Sequence, residues 1–208
     1  QDKIKLSSTD LEIAVKCHIK GEIVQEGGIT IPAKRFADII KELSAESDIE
    51  IKADETNQIN IKSGKSKFTL MGISKTEYPV IPEFPKENNF TIKKDSFASM
   101  LKKTVFAVSK DSQRYVLNGV YFIVDQDILK MVATDGRRLS YIEKDVTNPV
   151  PDFPSSIVPV KVLNCVLKNA PDEGNILVSV IDKMIFIKFG NYEFSSLLLD
   201  GQFPNYQR

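Results

Sequence analysis

Two periodicities divide the chain. Apolar residues that alternate with charged ones mark strands: Ile49, Ile51 and Ala53 lead through Asp54-Glu55-Thr56-Asn57 to Ile59 and Ile61, and on to Phe68 and Leu70. Ile176 to Val180 and Ile185 to Phe189 flank Asp182-Lys183, and Tyr121 to Val124 and Leu129 to Ala133 flank Asp125-Gln126-Asp127. Turn-forming residues between two such runs predict hairpins. Apolar spacings of three and four mark helices instead: Phe36, Ile39, Ile40 and Leu43 follow Pro32, and Leu163, Val166, Leu167 and Ala170 follow Pro159. Each proline suits a first helical turn. A third helix is predicted over Asp95 to Lys110, with Phe97, Leu101, Val105 and Val108 on its buried side. Groups of strands separated by single helices are an α+β pattern.

The pattern occurs twice. Ile61 to Thr69 returns as Ile187 to Ser195 with Ile, Lys, Gly and Phe in register. Thr9-Asp10 matches Thr134-Asp135, Ile31 to Lys34 matches Val158 to Lys161, and Tyr78-Pro79 matches Phe203-Pro204. These landmarks share an offset of roughly 126 residues, the size of a whole domain and far longer than a solenoid unit. The reading is a duplicated α+β chain with residues 1–85 as the rear part of one domain and 86–208 as a second. The front third of the first copy is expected before Gln1, and a third copy after Arg208. The proline-rich stretch Tyr78 to Pro85, with polar Lys86 to Asn89 after it, reads as a stiff extended linker.

Composition adds limits. Twenty-eight basic residues balance 28 acidic ones, so a nucleic-acid partner can be argued only from where the charges fall. Each predicted helix places lysines opposite its apolar stripe: Lys34 and Lys41, Lys103 and Lys110, Lys161 and Lys168. For one helix that is a solvated face; its repetition at one phase in both copies favours a surface that follows a phosphate backbone, and both readings stand at this point. The turns between strands carry acidic residues such as Glu46, Asp48, Asp172 and Glu173.

No enzyme chemistry emerges. Phosphate-binding glycine loops are missing, the sole histidine, His18, lies in a strand without a nucleophile, and Asp135 before Gly136 reads as a turn residue. Cys17 and Cys165 lack metal-ligand spacing and read as reduced packing cysteines, which fits a cytosolic compartment. Neither a cofactor nor a metal is expected, nor a membrane partner.

The segment Val132-Ala133-Thr134-Asp135-Gly136-Arg137-Arg138-Leu139 has no full counterpart in the first copy, which keeps Thr-Asp but lacks the glycine and arginines. It resembles the hallmark of the bacterial DNA polymerase III β subunit, the β sliding clamp. Arg114-Tyr115-Val116-Leu117-Asn118-Gly119-Val120 and Asp200-Gly201-Gln202-Phe203-Pro204-Asn205-Tyr206-Gln207-Arg208 resemble two further signatures of that family, in matching order and spacing.

The resemblance implies a DNA-clamp fold, with outer antiparallel sheets and helices lining an inner, DNA-facing side. It implies a non-catalytic processivity factor, cytoplasmic and nucleoid-associated, whose full-length chains close as a homodimer ring around duplex DNA. Partners would be the replicative polymerase, the clamp loader and repair proteins, bound through short linear motifs. Leu117, Thr134, Gly136, Arg138, Leu139, Pro204 and Arg208 match one wall of the family's peptide pocket, with Arg137 on its rim. Arg137 departs from the frequent histidine, and Val116 from a frequent aromatic. DNA contacts are expected from the six lysines, Arg35, Arg114 and Tyr115, and a dimer edge from the strand carrying Phe68 and Leu70, which in the family meets the third domain of a neighbouring chain. The alternative from another class is a duplicated interaction scaffold that never meets DNA, with an enzyme a distant third. The scaffold and the clamp separate on ring closure.

Overall fold

In the computed structural model, which describes residues 2–170 and 173–207, the chain opens with β1 (Asp2–Thr9) and β2 (Ile13–Gly21). Then come β3 (Ile29–Thr30), α1 (Ala33–Glu42), β4 (Glu50–Ala53), β5 (Gln58–Ser63), β6 (Ser66–Met71) and β7 (Ile73–Ser74). The second half runs β8 (Asn89–Lys93), α2 (Lys94–Thr104), β9 (Gly119–Asp125), β10 (Ile128–Thr134), β11 (Leu139–Asp145), β12 (Ser156–Pro159), α3 (Val160–Asn169), β13 (Asn175–Ile181), β14 (Met184–Phe189) and β15 (Tyr192–Leu197). Asp172 lies outside the described residues.

Residues 21–81 form one compact unit. Its three-stranded antiparallel sheet, β4-β5-β6, turns Ile59, Ile61 and Leu70 inward, and Phe36 and Ile39 of α1, with Leu43 just past its end, pack onto them. Pro32 stands immediately before α1, its φ of −59° already helical, and the Phe36 amide bonds its carbonyl at 3.0 Å.

Residues 3–20 and 82–208 form the other unit. Strands β1 and β2, although first in the chain, extend its six-stranded sheet, ordered β1-β2-β15-β14-β13-β8. A second sheet runs β11-β10-β9-β12. Between them lies one core to which Phe97, Met100 and Leu101 of α2 and Val162, Leu163 and Val166 of α3 contribute, beside Phe122, Met131, Ile187 and Phe194. Phe97 meets Phe122 edge-on, with ring centroids 6.2 Å apart.

The repeat is visible in the register. Ile61 opposes Phe68 and Ser63 opposes Ser66 across β5–β6; Ile187 opposes Phe194 and Phe189 opposes Tyr192 across β14–β15. Each two-residue turn begins with a glycine at positive φ, Gly64 at 54° and Gly190 at 50°. That left-handed conformation matches the twist of a hairpin and suits a residue without Cβ. The hairpin predicted at Asp182-Lys183 is present as well, with Ile181 opposite Met184 and both turn residues at positive φ.

The third helix is shorter than its spacing predicts. α2 ends at Thr104, a tight 3-10 turn covers Val105–Ala107, and Lys110 lies beyond it in a loop. Thr104 Oγ1 donates back to the Met100 carbonyl at 2.9 Å, and Val108 turns extended with ψ 142°. Val108 is still buried, because the Ser109 amide bonds the Leu117 carbonyl at 2.9 Å and draws the loop onto the sheet. The expected helical pairing of Lys103 with Lys110 is therefore corrected: only Lys103 is on the helix.

Candidate functional site

Strand alternation gives the four-stranded sheet two faces. Phe122 and Met131 point into the core beside the helices. The opposite face carries the cross-strand row Ile157–Tyr121–Val132–Tyr141, followed by Thr134 opposite Leu139. Leu117, Ile157, Val132 and Phe203 form a small cluster here, flanked by Val116, Tyr121, Leu199 and Tyr206. The Phe203 ring stacks on Tyr121 at 4.8 Å and Tyr206 on Tyr141 at 6.1 Å, so the segment after Asp200 lies along the sheet.

This arrangement collects most of the predicted pocket wall. Leu139 is half exposed, Pro204 is exposed next to Phe203, and Thr134 is buried beneath the turn. Leu117 departs from expectation: at 7% exposure it belongs to the interior of the cluster. It is the floor, while Leu139 and Pro204 remain accessible. Arg208 lies outside the described residues.

The turn between β10 and β11 is closed by its own side chains. Thr134 Oγ1 donates to the Arg138 carbonyl at 2.6 Å and accepts from the Gly136 amide at 3.0 Å. Asp135 Oδ1 accepts from the amides of Arg137 and Arg138, at 3.0 and 3.1 Å, and Gly136 adopts φ 85°. The Arg137 amide, and then the Arg138 amide and guanidinium, hold the Asp135 carboxyl below its usual range. Asp135 is thus a turn former. Arg138 is fixed by Asp135, by the Phe106 carbonyl at 2.7 Å and by the Phe106 ring 5.5 Å away; Arg137 is exposed. Of the aromatic contributors, Phe106 and Tyr141 escaped the sequence reading, whereas Tyr121 was read only as the start of a strand and Tyr206 only as part of the Asp200–Arg208 signature.

Beside this patch a groove of about 460 Å³ is lined by Tyr121, Ile157, Leu199 and Phe203 and edged by a Lys183–Asp200 ion pair at 3.0 Å. None of the predicted pocket residues lines it.

The basic candidates are exposed throughout: Lys34, Arg35 and Lys41 on α1, Lys103 on α2, Lys110, Arg114 and Tyr115 in the following loop and 3-10 segment, Lys161 and Lys168 on α3. Lys161 is not free. Its ammonium contacts Asp10 at 2.5 Å and Glu12 at 3.1 Å. The Lys161 bond, with help from backbone amides, holds Asp10 down to about 2 from an ordinary 3.8. A depressed carboxylate value means that the pair's stabilisation is complete above pH 3.8 and lost as pH falls towards 2.

Among the described residues, the strand carrying Phe68 and Leu70 is an edge strand, β6, paired only with β5. On that strand Leu70 is buried and Phe68 half-buried in their own unit's cluster, because they share the inward face of the sheet with Ile59 and Ile61. Lys67, Thr69 and Met71 face outward.

The family model described as DNA polymerase III beta subunit, N-terminal domain, matches residues 1–82, and that for the central domain of the same subunit matches residues 91–205. The chain belongs to the DNA polymerase III β subunit family. Among relatives in this family it is 32% identical over 205 residues to the beta sliding clamp of Chlamydia pneumoniae, covering 99% of this chain and 56% of that protein. It is 33% identical over 208 residues to the clamp of Pseudomonas aeruginosa, covering 99% and 56%. Among solved structures, the sliding clamp of Bartonella birtlesii bound to griselimycin superposes with a TM-score of 0.91 at 31% identity, over 99% of this chain and 56% of that one. The DNA polymerase III subunit beta of Pseudomonas aeruginosa gives 0.91 at 32%, over 99% and 57%. The fold is that of the family's sliding clamps, and the chain spans about half the length of its relatives.

Proposed function

We propose that this chain is part of a processivity clamp, a ring that encircles duplex DNA and tethers a replicative polymerase and other partners without catalysis of its own. The observation that carries this reading is the division of the second unit. Its helices pack on one face of the four-stranded sheet, and the apolar patch of Leu117, Leu139 and Pro204 lies on the other. Such a layout lets DNA and protein partners be met on different sides of one sheet. Residues 1–85 and 86–208 correspond to the first and second clamp domains, β1 and β2 of the first being strands of the second unit's sheet, with a third domain in the complete protein. The edge strand β6 supplies ring closure through its open backbone groups. Polymerase, clamp loader and repair proteins dock on the patch by short apolar motifs, and the ring works in the cytoplasm at the nucleoid.

The lysine faces, with Arg35, Arg114 and Tyr115, contact phosphates without reading bases. Bidentate base contacts worth about 1–3 kcal/mol each would have to break at every step of sliding. The decisive experiment is retention of the complete natural protein on closed circular DNA, with release on linearisation. Retention on neither form, or equal retention on both, leaves the scaffold reading in its place.

Lys161 offers a finer test. Asp10→Asn with Glu12→Gln frees its ammonium, so duplex affinity rises and the slope of log K against log salt steepens by about 0.9, one phosphate contact. Fluorescence anisotropy over a salt series measures both, and an unchanged slope means that this end of α3 does not touch DNA.

Griselimycin is bound by the Bartonella and Pseudomonas clamps. We place it on the patch of this chain, which makes it a probe for the site.

A further inference from the structure

We propose, resting on the clamp reading above, that Arg114 is a positioning residue for the patch, and that DNA phosphate draws it away from that task. The 3-10 segment Ser112–Leu117 carries the exposed Arg114 and Tyr115 and ends on Leu117 in the outer cluster. Polar bonds tie it down at both ends: Asp111 Oδ1 accepts the Gln113 amide at 3.0 Å, and the Ser109 amide holds the Leu117 carbonyl. At Arg114 the backbone leaves helical geometry, with φ −108° and ψ 49°.

Both arms of the patch rest on this segment. Arg114 Nη1 donates to the Asp135 carbonyl at 3.4 Å, and the same nitrogen is 3.0 Å from where a Cβ on Gly136 would sit. On the other side the loop leading to Phe203 and Pro204 passes at Gly201, where a Cβ would lie 2.6 Å from Val116 Cγ1 and 3.3 Å from Tyr115 Oη. Only glycine permits that approach, at φ 126°. The contact side chains for DNA and the frame of the patch are thus parts of one short piece of backbone.

Chemistry gives the coupling its sign. The partner of Arg114 is a neutral carbonyl at a long distance, whereas a phosphate offers a charge-assisted, bidentate alternative. A duplex therefore takes the guanidinium from Asp135 and loosens the 134–138 turn under the patch. Linkage requires the converse: a ligand that tightens the turn weakens the Arg114 contact to DNA. The clamp would then release a partner more readily while Arg114 holds phosphate.

The test is amide hydrogen exchange by mass spectrometry on the complete natural chain, with and without a short blunt duplex at low salt. In the wild type, the amides of Gly136, Arg137 and Arg138 exchange about fivefold faster when duplex is present. Arg114→Gln exchanges at the faster rate without duplex and does not respond to it; Arg114→Ala serves as the second variant, and an unchanged thermal melt shows each to be folded. Unaltered exchange in the wild type while anisotropy reports bound duplex overturns this inference and leaves the clamp reading intact. So does a response in Arg114→Gln equal to that of the wild type. Absence of any duplex binding by the wild type also overturns this inference, whereas the clamp reading fails only on loss of retention on closed circular DNA.

Discussion

Leu117→Asp is expected to cost about 3–5 kcal/mol of stability, because it places a carboxylate among the apolar Val132, Ile157 and Phe203. Leu139→Asp, at a half-exposed position, should stay within about 0.5 kcal/mol of the wild type and yet lose griselimycin binding. Urea unfolding and titration calorimetry on the same samples separate the two effects. Equal stability of both variants would deny that Leu117 is the floor of the patch. Full griselimycin affinity in the Leu139 variant would move the ligand elsewhere.

A segment of residues 86–208 expressed alone should melt about 10 °C below the same unit in the 208-residue chain and should self-associate. It lacks β1 and β2, so β15 becomes an edge. Loss of Ile13, Ala14 and Val15 uncovers Phe194 and forfeits about 2–3 kcal/mol of apolar burial. Unpaired backbone groups along Tyr192–Leu197 then invite another copy. Thermal melting and light scattering report the outcome, and a monomer of unchanged melting temperature would show that β2 contributes little to this sheet.

That expectation also marks where local pattern stops being informative. The hairpins at 53–58, 125–128 and 181–184 were legible, since period-two alternation and turn residues act over a few positions. So were α1 and α3, whose stripes and preceding prolines lie within twelve residues, Pro32 to Leu43 and Pro159 to Ala170. Nothing local says that β2 joins β15, because strand choice is settled by long-range burial. The end of α2 was missed for a different reason. Val105 and Val108 continue the helical spacing, but the chain buries them through a 3-10 turn and a loop.

The patch was legible as a set of residues and not as a surface. Signature residues identified Leu117 and Leu139 together, yet their unequal burial depends on Phe203 and Tyr121 stacking from separate segments. Lys161 shows the same limit in electrostatics. Its helical phase correctly places it outside the core, but Asp10, its nearest carboxylate, is 151 positions away in sequence.

The inward turn of Leu70 bears on which strand the open edge of β6 can accept. With Phe68 and Leu70 committed to their own sheet, an incoming strand meets a backbone ladder fringed by Lys67, Thr69 and Met71, with Lys65 just before it and no acidic residue between Ser66 and Met71. Two copies of this edge laid side by side would bring like charges together, which is unfavourable in cross-strand pairs. A strand carrying carboxylates or neutral side chains meets no such penalty. The edge therefore discriminates against its own image, and a contact between unlike surfaces is the kind that propagates head to tail until it closes on itself.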